Sequence, residues 1–484
     1  MLTVNPSALE LAAAIKAKQV SPVEVIKRYL AVVDRVNPII NAIIWRRDAE
    51  LLNEAKAAEN AVMRGDVLAP FHGVPLPIKD LTEVKGERTT HGTVAAKAKI
   101  GRYDTTPVRL LREAGFLFMG RTNTPEFGSL PVTENTLYGA TRNPWNTNHT
   151  PGGSSGGASA AVASGMAPIA HGSDGGGSLR IPASCCGLVG LKPSRGRIPK
   201  GPLVSEVMHG FTTDGCQSMT VADTAAYLDA LAKYDPTGWN SVQEPSEPYV
   251  RSALRGASGK GKRLRIGFTC TGPYSVNVAQ SCIDAVTKTA TILASLGHEV
   301  SAVTPTWPGA GSDQLAEDFV AIWCTSAAYQ DVSDWSLVEP LSASLRQMSL
   351  ELSSHDYIKA VLRLQVFSRQ IVRDWGKDYD LLLTPTMAME PPRIGWLHET
   401  GETDAKSLLW RCTEMVPYSG WCNVTGQPAI SLPMHVAASG LPIGVQLAGP
   451  PYREDLLLEV GAELEAAVSW RDSLPVQPVQ SPRT

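Results

Sequence analysis

The arrangement of hydrophobic and polar residues changes after about residue 65. Before that point the chain carries two helix-start signals: Ser7 lies three residues before Glu10, and the same spacing recurs in SPVE at residues 21–24. A serine with a glutamate three positions later is typical of a capping box, and a proline suits the first helical turn. We therefore predict a helical N-terminal part over residues 1–65.

Beyond it, hydrophobic residues fall into short runs bounded by glycine or proline, which indicate buried strands. We predict strands at 73–78, 116–119, 188–191, 264–268, 299–303, 381–384, 429–432 and 444–447. Helices are predicted at 107–114, 158–163, 279–293, within 312–376 and from 454 onward. The strand–helix–strand order over 264–303 favours a parallel α/β architecture. Residues 255–263 are predicted to be an exposed connector, and 387–407 an insertion.

Residues 122–200 are dense in Gly, Ser, Thr and Pro, a composition that also suits a disordered linker. The predicted helix at 158–163 and strand at 188–191 interrupt this stretch. We therefore expect ordered backbone that is packed too tightly for large side chains.

Composition narrows the class of protein. Of the 484 residues, 43% are hydrophobic and 19% are charged, which is typical of a globular chain. The formal charge of -3 argues against a nucleic-acid partner. No run of about 18 apolar residues predicts a membrane span, and the first ten residues lack the features of a signal peptide. The eight cysteines form no CxxC pair, which favours reduced thiols and a cytoplasmic location.

Several familiar motifs fail on inspection. Residues 256–262 have Walker spacing, but Arg263 replaces the required Ser or Thr. The nine histidines form no HExxH or paired ligand cluster, so we expect neither a metal nor another cofactor. Residues 152–156 match the GxSxG nucleophile elbow, although no buried strand precedes them as that motif requires. A hydrolase with Ser154 as its nucleophile stays open as an alternative.

Two glycine–serine segments, 151–157 and 172–182, are the stronger candidates for chemistry. In the second, three glycines precede Ser178, and their N–H groups could form a concavity that holds an oxyanion. Ordinary glycine turns are the alternative. Lys79 ends an otherwise apolar strand. Such a lysine usually reaches solvent, but a buried one would lose its proton and become a base.

Together these segments closely resemble the amidase signature family. The resemblance rests on GVPLPIKD at 73–80, PGGSSGG at 151–157, DGGGSLRIPAS at 174–184, GLVGLKP at 187–193, NVTGQPAISLP at 423–433 and GVQLAG at 444–449. It implies one α/β domain over 1–484, with a mixed, mostly parallel central sheet covered by helices. Within this domain, the resemblance implies a catalytic core at 73–200 and a C-terminal α/β part at 264–470 that carries the substrate-pocket insertions.

The resemblance also implies roles for individual residues. Ser178 would be the nucleophile, and Ser154, on a cis peptide, would pass its proton to neutral Lys79. An oxyanion hole would be formed by the backbone N–H groups of Gly175, Gly176, Gly177 and Ser178. Ser155 would support the loop, and Asp174 and Arg180 would form a structural ion pair. Many relatives carry Thr at position 175, so we expect Gly175 to leave more room beside the nucleophile.

The substrate pocket is assigned from the family's variable regions. We expect its walls to come from the loop at 123–128 and from two later segments that carry bulky side chains. The candidate lining residues are Thr124, Phe127, Ile322, Trp323, Cys324, Trp410 and Met415. A place in the core is the alternative for each of them. Taken together they predict a wide apolar cleft.

The predicted function is hydrolysis of amide C–N bonds through a serine acyl-enzyme, on small molecules with bulky or aromatic groups such as anilides. Carbamate or cyclic-amide hydrolysis on the same triad is one alternative, since such a cleft would not reject an oxygen beside the carbonyl. A glutamine amidotransferase subunit is another. An inactive binding protein would not need all three triad residues. No membrane association is expected, and a homodimer is one candidate assembly.

Overall fold

Two β-sheets organise the chain in a computed structural model, which describes residues 5–309 and 313–475. The strands are β1 (Ile43–Trp45), β2 (Pro75–Lys79), β3 (Leu117–Thr122), β4 (Ile169–Asp174), β5 (Val189–Lys192), β6 (Thr213–Ser218), β7 (Arg265–Phe268), β8 (Glu299–Ala302), β9 (Leu381–Pro385), β10 (Ala429–Val436) and β11 (Pro442–Ala448). A small sheet has the order β1-β3-β2, and a large sheet has the order β4-β6-β5-β10-β11-β9-β7-β8.

Helices cover both sheets. They are α1 (Ala8–Lys16), α2 (Pro22–Ile40), α3 (Asp48–Arg64), α4 (Thr106–Glu113), α5 (Gly156–Ala163), α6 (Arg180–Cys186), α7 (Val221–Leu231), α8 (Tyr249–Ala257), α9 (Gln280–Ser295), α10 (Gln314–Cys324), α11 (Pro340–Glu351), α12 (Ser354–Asp374), α13 (Ala405–Met415), α14 (Gly420–Thr425) and α15 (Glu454–Val468). In the described part of the chain, none of them is long and apolar enough to cross a bilayer.

The large sheet is mixed, as predicted, but the expectation that most of its strands are parallel is wrong. Only β7 with β8 and β7 with β9 are parallel among the neighbouring pairs described, and the other neighbours in this sheet are antiparallel. A crossover helix, α9, joins β7 to β8 and gives them one direction. The short connection between β10 and β11 reverses the chain, so it enforces an antiparallel pair.

The N-terminal helices begin where the capping signals predicted. The Ser7 side chain accepts a hydrogen bond from the backbone N–H of Glu10, and the Glu10 carboxylate accepts one from the backbone N–H of Ser7. Ser21 and Glu24 repeat this reciprocal arrangement at the start of α2. Each box satisfies two N–H groups that the first turn of a helix leaves unpaired.

Seven of the described strands and helices escaped the sequence analysis: β1, β6, α6, α7, α8, α13 and α14. Strand β1 lies within the part that was predicted to be helical. Strand β6 has the polar sequence TDGCQS, yet all its residues are buried because it pairs with β4 and β5 on its two sides. Helices α7 and α8 follow it. The end of α8 occupies residues 255–257, so only 258–263 of the predicted connector form a loop.

The inner strands of the large sheet are buried on both faces, whereas its edge strand β8 is mostly exposed. Leu381 and Leu383 of β9 contribute to a hydrophobic core shared with the N-terminal helices and α15, whereas Leu382 contributes to a second core among α5, α6 and α10–α14. Successive side chains of a strand point to opposite faces, which explains why β9 is an unbroken apolar run. The residues singled out for chemistry lie on the side of the second core.

Candidate active site

Lys79 is the last residue of β2 and is fully buried. Its Nζ donates to Ser154 Oγ at 2.7 Å, to Ser155 Oγ at 2.9 Å and to Ser173 Oγ at 3.2 Å. Burial lowers the pKa of Lys79 to about 7, and the more distant carboxylates of Asp174 and Asp214 only partly oppose this effect. A lysine in these surroundings can lose its proton near neutral pH.

Ser154 and Ser155 lie on the glycine-rich segment that leads into α5. The peptide bond between Gly153 and Ser154 is cis. A Cβ added to Gly153 would lie 2.7 Å from the backbone nitrogen of Val132, so the segment passes closer to its neighbour than a side chain allows. Ser155 Oγ also donates to the carbonyl of Ser173 at 3.1 Å. The ordered, tightly packed backbone expected for residues 122–200 is therefore what the structure contains.

Ser178 lies between β4 and α6 and faces a cavity with 7% of its surface exposed. The backbone N–H of Ser155 donates to the carbonyl of Ser178 at 3.3 Å, which ties the two glycine–serine segments together. Through this contact and the bonds of Lys79, the structure brings the three predicted triad residues into one site, although they come from separate parts of the chain.

The loop from Asp174 to Ser178 presents backbone N–H groups beside Ser178. In the described residues, no acceptor is bonded to the N–H groups of Gly175, Gly176 or Ser178. Gly177 differs from the expectation, because its N–H donates to Asp174 Oδ1 at 2.8 Å. Three of the four predicted oxyanion donors therefore keep an N–H group without an acceptor, and Gly177 instead helps to fix the shape of the loop.

Asp174 and Arg180 form the expected ion pair, which is fully buried. The guanidinium donates twice to the carboxylate, each time at 3.0 Å, and also to Asn423 Oδ1 at 2.7 Å and Gln446 Oε1 at 2.8 Å. Burial alone would raise the pKa of Asp174, but Arg180 holds it well below its usual range. The pair joins the nucleophile's loop to α14 and β11.

A cavity of about 620 Å³ opens in front of Ser178. Its walls are mainly apolar side chains. Those from the second core or packed against it are Leu130, Ile181, Phe319, Trp323, Cys324, Met348, Leu352, Leu409 and Val416, and Val320 and Trp410 complete the apolar lining. Charged groups also line it: Asp313, Glu317, Glu351, Asp356 and Lys406. A cavity of this size can enclose most of a small organic substrate.

Three of the seven predicted pocket residues, Trp323, Cys324 and Trp410, line this cavity. The other four, Thr124, Phe127, Ile322 and Met415, do not. Ile322 and Met415 are completely buried in the second core because they lie on the inner faces of α10 and α13. Phe127 packs against Trp335 instead, with ring centroids 6.3 Å apart.

Sequence reasoning missed Ser173 and Phe319. Ser173 contacts Lys79, and its position immediately before the glycine-rich loop was the available signal. Phe319 precedes Trp323 by four residues on α10, and residues four apart share one face of a helix. That spacing would have added Phe319 to the cavity and removed Ile322 from it.

Within residues 5–309 and 313–475, no group of three or more His, Cys, Asp or Glu side chains is arranged to hold a metal ion.

Comparisons with known proteins extend over nearly the whole chain. The family profile described as Amidase matches residues 24–458. A 6-aminohexanoate-cyclic-dimer hydrolase from Pseudomonas sp. (strain NK87) is 35% identical over 475 residues, covering 94% of this chain and 93% of that protein. An acylamidase from Rhodococcus erythropolis is 35% identical over 490 residues, covering 97% of both. The solved structure of a 6-aminohexanoate cyclic dimer hydrolase has a TM-score of 0.90 at 33% identity, covering 98% of this chain and 99% of that chain.

Proposed function

Since the chain belongs to the amidase family and is an amide C–N hydrolase, we propose that it works through an acyl-enzyme formed on Ser178. The Ser178 Oγ attacks the carbonyl carbon while its proton passes through the Ser154 hydroxyl to neutral Lys79. The oxyanion that forms lies against the N–H groups of Gly175, Gly176 and Ser178. Each such donor is worth roughly 2.7–4 kcal/mol in the barrier of an acyl transfer.

The second half of the reaction uses the same groups in reverse. When the C–N bond breaks, the leaving amine takes the proton back from Lys79 through Ser154. Water then attacks the ester carbonyl of the acyl-enzyme and gives a proton through Ser154 to Lys79. As the ester C–O bond breaks, Lys79 returns that proton through Ser154 to Ser178, the carboxylic acid leaves, and the neutral lysine and the serine hydroxyl are restored. Acid and base steps are thus carried by one lysine, and atoms and charge balance at each step.

The observation that carries this proposal is the environment of Lys79. Its ammonium position is fully buried among the hydroxyls of Ser154, Ser155 and Ser173. Because desolvation disfavours the charged form, the neutral amine is accessible near pH 7. A lysine with a purely structural role would be stabilised more by a carboxylate at this distance than by hydroxyl groups.

For the substrate, we propose amides with bulky or aromatic groups, such as anilides. The apolar walls of the cavity and aromatic side chains such as Trp323 and Trp410 support this class. The name of the Pseudomonas relative favours a cyclic amide as a second candidate. A carbamate is a third, since it places an oxygen where an amide places carbon.

A panel of an aryl anilide, a cyclic amide, an aryl carbamate and glutamine tests the substrate class, with Ser178→Ala as the blank. We expect the highest kcat/KM for the anilide or the cyclic amide. Glutamine as the best substrate by about tenfold, which is 1.4 kcal/mol, would overturn the proposal and favour an amidotransferase subunit.

Covalent labelling tests the nucleophile directly. A sulfonyl fluoride should add its mass to the peptide that contains Ser178, and prior incubation with a good substrate should slow the reaction. Labelling at Ser154 alone, with Ser178→Ala still active, would contradict the assignment and restore Ser154 as the nucleophile of an elbow.

A further inference from the structure

The indole of Trp323 lies against the backbone of the oxyanion loop. Its outer ring edge is 3.6 Å from the position that a Cβ on Gly175 would take, and 3.4 Å from the corresponding position on Gly176. The methyl group of Thr212 lies 3.2 Å from the same Gly175 position. The space that Gly175 leaves open is therefore bounded by Thr212 and Trp323 and is about the size of a single Cβ, which is less room than expected beside Ser178.

Packing holds this indole in place. Trp323 is 8% exposed and stacks on Phe319 with ring centroids 5.4 Å apart, and Phe319 stacks on Phe211 at 5.8 Å. The buried indole N–H has no hydrogen-bond partner among the described residues. The guanidinium of Arg195 lies 5.8 Å from the ring of Phe211 and closes the far end of the stack.

From this geometry we propose that Trp323, rather than the residue at position 175, forms the wall beside the oxyanion donors and limits the bulk that a substrate carries next to its carbonyl. The inference rests on the proposed function, because it places the substrate carbonyl at Gly175, Gly176 and Ser178. Substrates with an unbranched carbon beside the carbonyl would fit under the indole, whereas branched ones would meet its edge.

The same geometry makes positions 175 and 323 competitors for one volume. An alanine Cβ at position 175 would reach ordinary van der Waals contact with the indole, so the γ atoms of a threonine would meet either Trp323 or Thr212. Gly175 has no left-handed backbone conformation that would exclude a side chain on its own. Whether a larger residue is tolerated at 175 therefore depends on the size of residue 323.

A double-mutant cycle of Gly175→Thr and Trp323→Ala tests the proposal, because it isolates the coupling between two neighbours. The substrates are acetanilide and isobutyranilide, which differ in branching beside the carbonyl. We expect wild type to prefer acetanilide and Trp323→Ala to reduce that preference by about tenfold or more, the range that small groups give in apolar pockets. Gly175→Thr should lower kcat/KM at least about tenfold more with Trp323 present than without it.

Controls separate the possible failures. Trp239→Ala removes a tryptophan that is 85% exposed and should leave both kcat/KM values unchanged. If Trp323→Ala does not fold, Trp323→Leu keeps much of the buried volume and should show the same change in preference. An equal change for both substrates, or a Gly175→Thr effect independent of residue 323, would overturn the inference. If wild type hydrolyses no amide, the proposed function itself fails.

Discussion

The glycine-rich segment from Pro151 to Pro193 and the helices α10–α13 face each other across the cavity, but they are built differently. In the segment nearly every residue is buried, and its polar groups are held by hydrogen bonds at fixed distances. On α12, in contrast, Ile358, Leu362 and Val366 are each more than half exposed. The first region therefore tolerates almost no substitution, whereas the second can change its residues and keep its fold.

This difference separates the chemistry from the choice of substrate. The groups proposed to make and break bonds belong to the sheet side of the cavity, while Phe319, Trp323 and Trp410 come from the helical side. A substitution on the helical side should change which amide is hydrolysed more than how the bond is broken. Four predictions test that division, starting from the largest expected effect.

Replacing the buried base should have the largest effect on rate. Lys79→Met keeps the length of the side chain but removes the proton acceptor, so kcat should fall about 10²- to 10⁴-fold. Folding lowers the pKa of Lys79 from 10.5 to about 7, so between these pH values the unfolded chain binds more protons than the folded chain. The resulting decrease in the free energy of unfolding is present at pH 7 and below. The free energy of unfolding of Lys79→Met at pH 7, measured in denaturant, should not be lower than that of wild type.

A retained rate in Lys79→Met would show that the lysine is structural, and the division between the two regions would lose its basis. The exposed Lys260→Met serves as the matched control, with activity and stability unchanged.

Breaking the buried ion pair should instead damage the fold around the nucleophile. Asp174→Asn leaves the Arg180 guanidinium buried without a countercharge, which typically costs about 3–5 kcal/mol. Equilibrium denaturation should report this loss. The double variant Asp174→Asn/Arg180→Met removes both charges and should recover part of it. A loss below about 1 kcal/mol, the range of surface ion pairs, would mean that the pair is not isolated from solvent.

The pH dependence of the rate tests how the charges near Lys79 set its pKa. Because the proposed mechanism needs neutral Lys79 as its base, kcat/KM should rise with pH around 7 and level off on the alkaline side. Asp214 on β6 lies opposite Ser173 on β4, and Ser173 contacts Lys79. The carboxylate of Asp214 raises the pKa of Lys79. Asp214→Asn should therefore move the rise to lower pH. Lys200→Met, which removes a nearby positive charge, should move it to higher pH. Profiles that do not move, in folded variants, would contradict this account.

The smallest effect is expected on the helical side. Trp410 lines the cavity but is 47% exposed, and most contact residues of this kind cost less than about 1 kcal/mol when truncated. Trp410→Ala should raise KM for an anilide by at most about fivefold and leave kcat and the pH profile unchanged. A fall in kcat comparable to that of Lys79→Met would show that the helical side affects how the bond is broken as well as which substrate is chosen.

Local signals in the sequence predicted local features well. The capping boxes at Ser7 and Ser21 identified where α1 and α2 begin, because the bonds they describe lie within four residues. The apolar run before Lys79 predicted a buried strand, and the two glycine–serine segments predicted ordered loops. These features depend on residues that are close together in the chain.

Features that depend on distant partners were not predictable in the same way. Strand β6 has a single β-branched residue, Thr213, and no aromatic residue, and its burial comes from pairing with β4 and β5. Strand direction in the large sheet follows from which strands become neighbours, which periodicity does not encode. The role of Gly177 differs from the prediction because the Asp174 carboxylate accepts a hydrogen bond from its N–H, and that carboxylate is placed by Arg180 and Asn423.

The contacts of Arg180 have a consequence for how the protein is made. Asp174 lies six residues before Arg180, but Ser419 and Gln446, two further partners, follow it by 239 and 266 residues. At a synthesis rate of about 5–20 residues per second, Gln446 leaves the ribosome roughly 13–50 seconds after Arg180. For most of that interval, until Ser419 is made, Asp174 is the only one of these three partners that Arg180 can bind. The nucleophile's loop is therefore among the last parts of the molecule to be completed, and a ribosome that stalls before Gln446 yields a chain without a finished site.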